Sequence, residues 1–166
     1  MYMKSLVLAI SLLVGSSAFA KDLPRVYGNE VVAPANAAEQ EIAKLFDRWN
    51  AALGTGKPAE VVKLYHPKAM LQPTVSNQVR TTPAEITDYF EHFLVLKPTG
   101  VINYRQIRLL DADSAIDSGV YTFDLTKDGK HSKVQARYTY VYKKVGNDWL
   151  ILNHHSSAMP EQVSIN

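Results

Sequence analysis

From Gly100 onward the chain runs in long stretches of alternating apolar and polar residues, broken only by very short turn sequences. That pattern leaves few folds open. The stretches are Val101–Leu110, Ala115–Leu125, Ser132–Lys144 and Trp149–Ser157, separated by Asp111-Ala112-Asp113, Lys127-Asp128-Gly129-Lys130 and Val145-Gly146-Asn147-Asp148. Alternation at period two is the mark of a strand with one buried face, and turns this short join only antiparallel neighbours. A meander of at least four long strands follows.

The first half of the chain has a different period. Asn36 with Glu39 three residues later predicts a capped helix start, and Ile42, Leu45, Phe46, Trp49 and Leu53 then fall on one face until Gly54 and Gly56. A short second helix starts near Pro58 and is expected to end at Tyr65-His66-Pro67, because a proline turns the residue before it away from helical geometry. A short strand at Ala69–Leu71 is expected next, then a loop. Thr82, Pro83 and Glu85 open a third helix that buries Ile86, Tyr89, Phe90, Phe93 and Leu94. Three helices, one long and one short, cannot cover both faces of the meander. The expected fold is therefore α+β, with the helices on one side of the sheet.

The N-terminus reads as an export leader. Lys4, the apolar run Leu6–Val14 and the Ala18-Phe19-Ala20 ending have the charge, apolar core and cleavage site of a signal peptide over residues 1–20; the run falls short of the roughly 20 apolar residues of a membrane span. Residues 21–35 form an N-terminal arm whose Leu23, Val26, Tyr27, Val31 and Val32 are available for docking, residues 36–161 form the domain, and 162–166 are a tail. The expected location is periplasmic or secreted, with no membrane association after cleavage. Lys4 is one of 18 basic residues against 16 acidic ones, so the remainder is close to neutral and no basic stripe points to nucleic acid. Cysteine is absent, so neither disulfides nor thiol chemistry enter.

Candidate site residues gather where the last strand ends, at His154, His155, Ser156 and Ser157. Alternation puts Trp149, Ile151, Asn153, His155 and Ser157 on one side and Leu150, Leu152, His154 and Ser156 on the other. Each set is half apolar, so both assignments remain open. Adjacent histidines on a strand diverge unless it bulges, which leaves no converging set for zinc; no metal or cofactor is expected. In the third strand Tyr138, Tyr140 and Tyr142 share the face expected to point inward, where buried hydroxyls need partners. Arg105, Arg108 and Arg137 lie within strands, and any that turns inward needs a carboxylate or a bound anion. Asp117 and Asp124 fall on opposite faces.

The pattern W-x5-H-x-S at Trp149, His155 and Ser157, with the order of elements, resembles the association domain of calcium/calmodulin-dependent protein kinase II. The stretches SGVYTF (Ser118–Phe123), ARYTYVY (Ala136–Tyr142) and HHSSAMPE (His154–Glu161) are similar to small bacterial relatives of the SgcJ/EcaC or SnoaL-like type. The resemblance spans Glu39–Glu161. It implies a nuclear-transport-factor-2-like cone, a strongly curved antiparallel sheet of four long strands plus short strand(s) packed on three helices, with a pocket at its open end. It also implies that Leu150, Leu152, His154 and Ser156 face the pocket. Two arginines of the kinase hub's pocket fall at Tyr140 and Ser156 here, so this chain departs from an anion-binding pattern. Nothing in it resembles a kinase catalytic domain.

The implied ligand site is Tyr65, Tyr89, Tyr138, Tyr140, His154 and Ser156, with His154 the best single choice for an acid/base. The alternative face is Arg137, Asn153, His155 and Ser157. The expected partners are an unknown small molecule and further copies of the chain, in a homodimer or higher homo-oligomer. The last expectation rests on Trp149, Ile151 and Val141 forming an apolar patch on the outer face of the sheet. A small enzyme, of isomerase, cyclase or oxidoreductase-like type, and a purely structural assembly module are the alternatives.

Overall fold

A computed structural model describes residues 25–29, 31 and 33–161. The expected leader, Leu23, Val32 and the tail lie outside the described residues. The elements are helix α1 (Ala37–Gly54), helix α2 (Pro58–Val62), strand β1 (Tyr65–Gln72), helix α3 (Pro83–Phe93) with a 3-10 turn at Leu94–Leu96, and strands β2 (Thr99–Leu109), β3 (Ser114–Lys127), β4 (Lys130–Val145) and β5 (Asp148–Ala158). They form one five-stranded sheet in the order β1-β5-β4-β3-β2. The last four strands are the antiparallel meander, and β1 joins its far edge parallel to β5.

Both helix starts follow the sequence chemistry. Asn36 Oδ1 accepts the Glu39 amide at 2.9 Å, and Thr82 and Glu85 form the full reciprocal capping box. α1 then lays Ile42, Leu45, Phe46, Trp49 and Leu53 against the sheet. The side chain of Asn50 pairs with both backbone groups of Gly100, at 2.8 and 2.9 Å, and ties α1 to the first meander strand. α2 stops at Val62, short of the expected Tyr65-His66-Pro67. Leu64 already offers its carbonyl to the Ile151 amide, and Tyr65 is the first residue of a longer β1. Pro67 is tolerated there because β1 is an edge strand and its register slips between Tyr65 and Met70.

The feature that shapes the site is a bulge in β5. Val141 pairs with Asn153 and Tyr142 with Ile151, leaving Leu152 as an extra residue. A bulge of this kind bends the strand and resets which side chains face inward. Trp149, Ile151, His154 and Ser156 consequently all lie buried on the helix side. Neither strict alternation is correct: Leu150 and Leu152 do not enter the core, and Trp149 and Ile151 do. The expected outer apolar patch is therefore absent at those two residues. Trp149 donates its indole N–H to Glu41 on α1 at 2.9 Å, and its carbonyl accepts from Arg48. Part of the outer face is instead covered by the chain's own arm. Gln135 exchanges hydrogen bonds with the backbone of Tyr27, whose ring lies 5.6 Å from that of Tyr104.

Candidate functional site

The core is aromatic, and Trp49 at its centre is 1% exposed. Its ring meets Phe90, Phe123, Tyr140 and His154 edge-on. Beside it a narrow cavity runs inward between α3, the loop after β1 and the concave sheet. Trp49, Leu71, Phe90, Tyr121, Phe123, His154 and Ser156 form its inner part, with Tyr89, Phe93, Leu125, Thr74 and Val75 among the less buried residues that line it. Its unfilled volume, open solvent at the mouth included, is about 500 Å³.

The positions along α3 explain the opening. Ile86 and Phe90 are fully buried, while Tyr89 and Phe93 sit at the margin of the core, stacked on each other with ring centroids 5.5 Å apart. The buried Arg80 guanidinium lies over the Tyr89 ring, 5.1 Å from its centre. On the opposite wall the β5 bulge delivers His154 and Ser156.

His154 is held from three sides. Tyr140 stacks on its ring at 4.2 Å, Trp49 meets it edge-on, and Tyr65 Oη lies 2.8 Å from Nδ1. The direction of that last bond follows from its neighbour. Trp49 Nε1 lies 3.2 Å from the same Tyr65 oxygen, and an indole can only donate. Tyr65 accepts from Trp49, and its own proton has His154 Nδ1 as its one acceptor among the described residues, so it donates there. Nδ1 is thereby the acceptor, and the neutral ring carries its hydrogen on Nε2. That Nε2 is buried and has no partner in the protein. Burial, reinforced by the adjacent His155, pushes the His154 pKa down to about 3. Burial also raises Tyr65 well above the ordinary tyrosine range.

Ser156 is the second polar group. It accepts from Tyr121 Oη at 2.5 Å and meets the Thr74 hydroxyl, which fastens the loop after β1 across the cavity. Tyr121, absent from the expected site, has a legible signal in the SGVYTF stretch: it lies on the same inner face as Asp117 and Phe123.

Of the expected ligand residues, Tyr89, His154 and Ser156 line this cavity and Tyr65 stands behind His154. Tyr138 and Tyr140 do not line it. Tyr140 backs the imidazole, with its own hydroxyl unpartnered. Tyr138 turns to a separate buried cluster, donating to Asp117 Oδ1 at 2.9 Å. Asp117 is wholly buried, and its Oδ2 lies 3.1 Å from Nε of Arg105, the strand arginine that turned inward. Burial raises the Asp117 pKa to about 6, against the pull of Arg105 and Tyr138. Burial works to lower that of Arg105, but Asp117 and Tyr138 outweigh it and hold the guanidinium charged. The alternative face is the outer one: His155 and Arg137 are exposed, Asn153 and Ser157 are half-buried, and Arg137 donates to Ser157 Oγ at 3.2 Å.

Residues 38–160 match the family described as calcium/calmodulin dependent protein kinase II association domain. A protein from Xanthomonas campestris described as such an association domain is 58% identical, with a TM-score of 0.81 over 83% of this chain and 99% of that one. A nuclear transport factor 2 (NTF2-like) superfamily protein from Salmonella enterica shares the fold at 17% identity, with a TM-score of 0.64 over 76% of this chain and 93% of its own. The kinase II hub homology domain of Chlamydomonas reinhardtii does so at 15% identity, with a TM-score of 0.61 over 74% of this chain and 99% of its own. No curated protein matches the chain.

Proposed function

The chain belongs to the calcium/calmodulin dependent protein kinase II association-domain family, and on that premise we propose that it is an exported, homo-oligomeric domain that binds a small, largely apolar molecule beside His154 and has no kinase activity. The observation that carries the reading is the buried imidazole lining an aromatic cavity with one nitrogen unused. A buried donor left unpaired costs about 1–3 kcal/mol, so a structure that keeps one beside a cavity is suited to a ligand that completes it. Export is supported by the order of charge, apolar run and small residues in 1–20. Self-association is supported by the likeness to a hub domain.

His154 suits hydrogen-bond donation better than proton shuttling, because its conjugate acid forms only near pH 3. The reading as an acid/base enzyme therefore has less support than the binding reading. A thermal-shift screen over neutral, anionic and cationic small molecules tests the latter. A class of compounds should stabilise the wild type, and the effect should disappear in Phe93→Ala and Ser156→Leu, which widen and fill the cavity respectively. A diverse screen with no stabilising compound refutes binding. Light scattering and cell fractionation test the other two parts; a monomer at micromolar concentration, or a cytoplasmic protein, removes them.

A further inference from the structure

Resting on the binding reading, the chemistry of the cavity narrows what it takes. We infer that the ligand is a neutral, flat, apolar molecule bearing a carbonyl oxygen, and that this oxygen accepts the hydrogen bond offered by His154 Nε2.

The hydrogen bonds around His154 run in one direction. Trp49 can only donate, and His154 Nδ1 is the one acceptor placed for the Tyr65 proton among the described residues, so the polarity that pairs every hydroxyl and indole proton ends in an N–H on Nε2. An ammonium or another N–H group would set donor against donor at that nitrogen. An acceptor satisfies it. The second step concerns charge. The cavity lining contains no lysine, arginine, aspartate or glutamate. A carboxylate or phosphate taken into it would lose its hydration with no cation to replace it, a cost of several kcal/mol for a buried ion. The interior cations nearby are already engaged: Arg105 is against Asp117, and Arg80 donates to Ser76 Oγ and the Gln78 carbonyl while lying over the Tyr89 ring. A neutral oxygen carries no such cost.

Shape supplies the third step. The walls are the planar side chains of Trp49, Phe90, Phe93 and Phe123, which favour a flat partner. The unfilled volume of about 500 Å³, open to solvent at one side, limits the ligand to a small molecule that enters a cavity with His154 and Ser156 on its wall. Thr74, bonded to Ser156, is part of the same wall. Ser156 lines the same cavity as His154.

The test uses matched probes on the full chain. Acetophenone and 2-acetylnaphthalene carry the carbonyl at two body sizes; α-methylstyrene and 2-isopropenylnaphthalene keep the shape without the acceptor; benzoate and 2-naphthoate add the charge. Dissociation constants come from titrations followed by NMR, with histidine labelled with nitrogen-15. At one size or the other, the ketone should bind about 10-fold or more tightly than its hydrocarbon partner, as expected for satisfying one buried donor. It should also shift the His154 Nε2–H resonance. His154→Phe should make ketone and hydrocarbon equal, and because the wild-type comparison stands alone, a misfolded variant does not rescue the idea. Equal binding of hydrocarbon and ketone, or tighter binding of the carboxylate, overturns the inference while leaving apolar binding intact. Failure of all six probes at millimolar concentration overturns the inference, and the wider screen then decides whether the binding reading falls with it.

Discussion

The His154 environment makes a quantitative claim about acid stability. In the unfolded chain the imidazole takes up its proton near pH 6.5, whereas in the fold burial delays this to about pH 3. Between those values the unfolded state binds more protons, so acid favours unfolding; the stability linked to this group is complete above pH 6.5 and is lost as pH falls toward 3. Each pH unit inside the window costs about 1.4 kcal/mol, or about 2 kcal/mol by pH 5. Asp117 acts in the opposite sense. Its folded pKa of about 6 lies above its ordinary 3.8, so its contribution is complete below 3.8 and is lost as pH rises through 6. Acidifying from pH 6 to 5 thus returns about 1.4 kcal/mol. The wild type alone would show little net change, and the informative quantity is its difference from His154→Gln. Urea denaturation followed by tryptophan fluorescence suits this, since Trp49 touches the imidazole. The variant should be the less stable protein at pH 7, and the gap should close by about 2 kcal/mol at pH 5, about 1 M in urea midpoint. A gap that does not change with pH refutes the reasoning. So does an NMR titration placing His154 near 6.5.

Two other perturbations probe the surroundings. Asp117→Ala strands a buried guanidinium and should cost about 3–5 kcal/mol in chemical denaturation, whereas the double variant Asp117→Leu with Arg105→Met should recover most of that loss; equal stability of the two variants contradicts a paired cluster. Gly119 lies opposite the β2–β3 bulge, where an added Cβ would stand 1.9 Å from the Tyr104 carbonyl oxygen. Gly119→Ala should cost about 3 kcal/mol or prevent folding, while Gly146→Ala, in an open turn at φ 62°, should cost only about 1 kcal/mol.

Most of the fold is legible because its signals are local. The caps at Asn36 and Thr82, the turns around Gly129 and Gly146, and the alternation of Tyr138, Tyr140 and Tyr142 each act within a few residues. The early end of α2 at Val62, with only two residues separating it from the start of β1 at Tyr65, is not legible in the same way. Tyr65 starts a strand because Trp49 and His154 hold its hydroxyl from 16 and 89 residues away. The Arg105–Asp117 pair has the same character: an inward arginine is recognisable as needing a carboxylate, but its partner is fixed by the pairing of β2 with β3. The site was half legible for one reason. Histidine and serine at a strand end mark a candidate, but which pair faces inward depends on a single unpaired residue.

That residue, Leu152, carries the final prediction. In a strand without the bulge, Trp149 and Ile151 inward would force His155 inward and His154 out. The extra residue cancels the conflict, so both apolar anchors and the polar pair share one face. Deleting Leu152 from β5 shortens the strand to Trp149-Leu150-Ile151-Asn153-His154, which alternates correctly with every inward residue still inward. Val141 and Tyr142 would then face Asn153 and Ile151 as consecutive ladder partners. The deletion should cost only the local bend and leave His154 unprotonated at pH 5. Deleting Leu150 instead moves Trp149 to the opposite face from Ile151 and breaks its bond to Glu41, so that variant should unfold or lose several kcal/mol through exposure of the indole. The two deletions remove the same kind of side chain two positions apart. If they destabilise the protein equally, or if His154 titrates as an exposed imidazole after loss of Leu152, the bulge does not set the facing of the site.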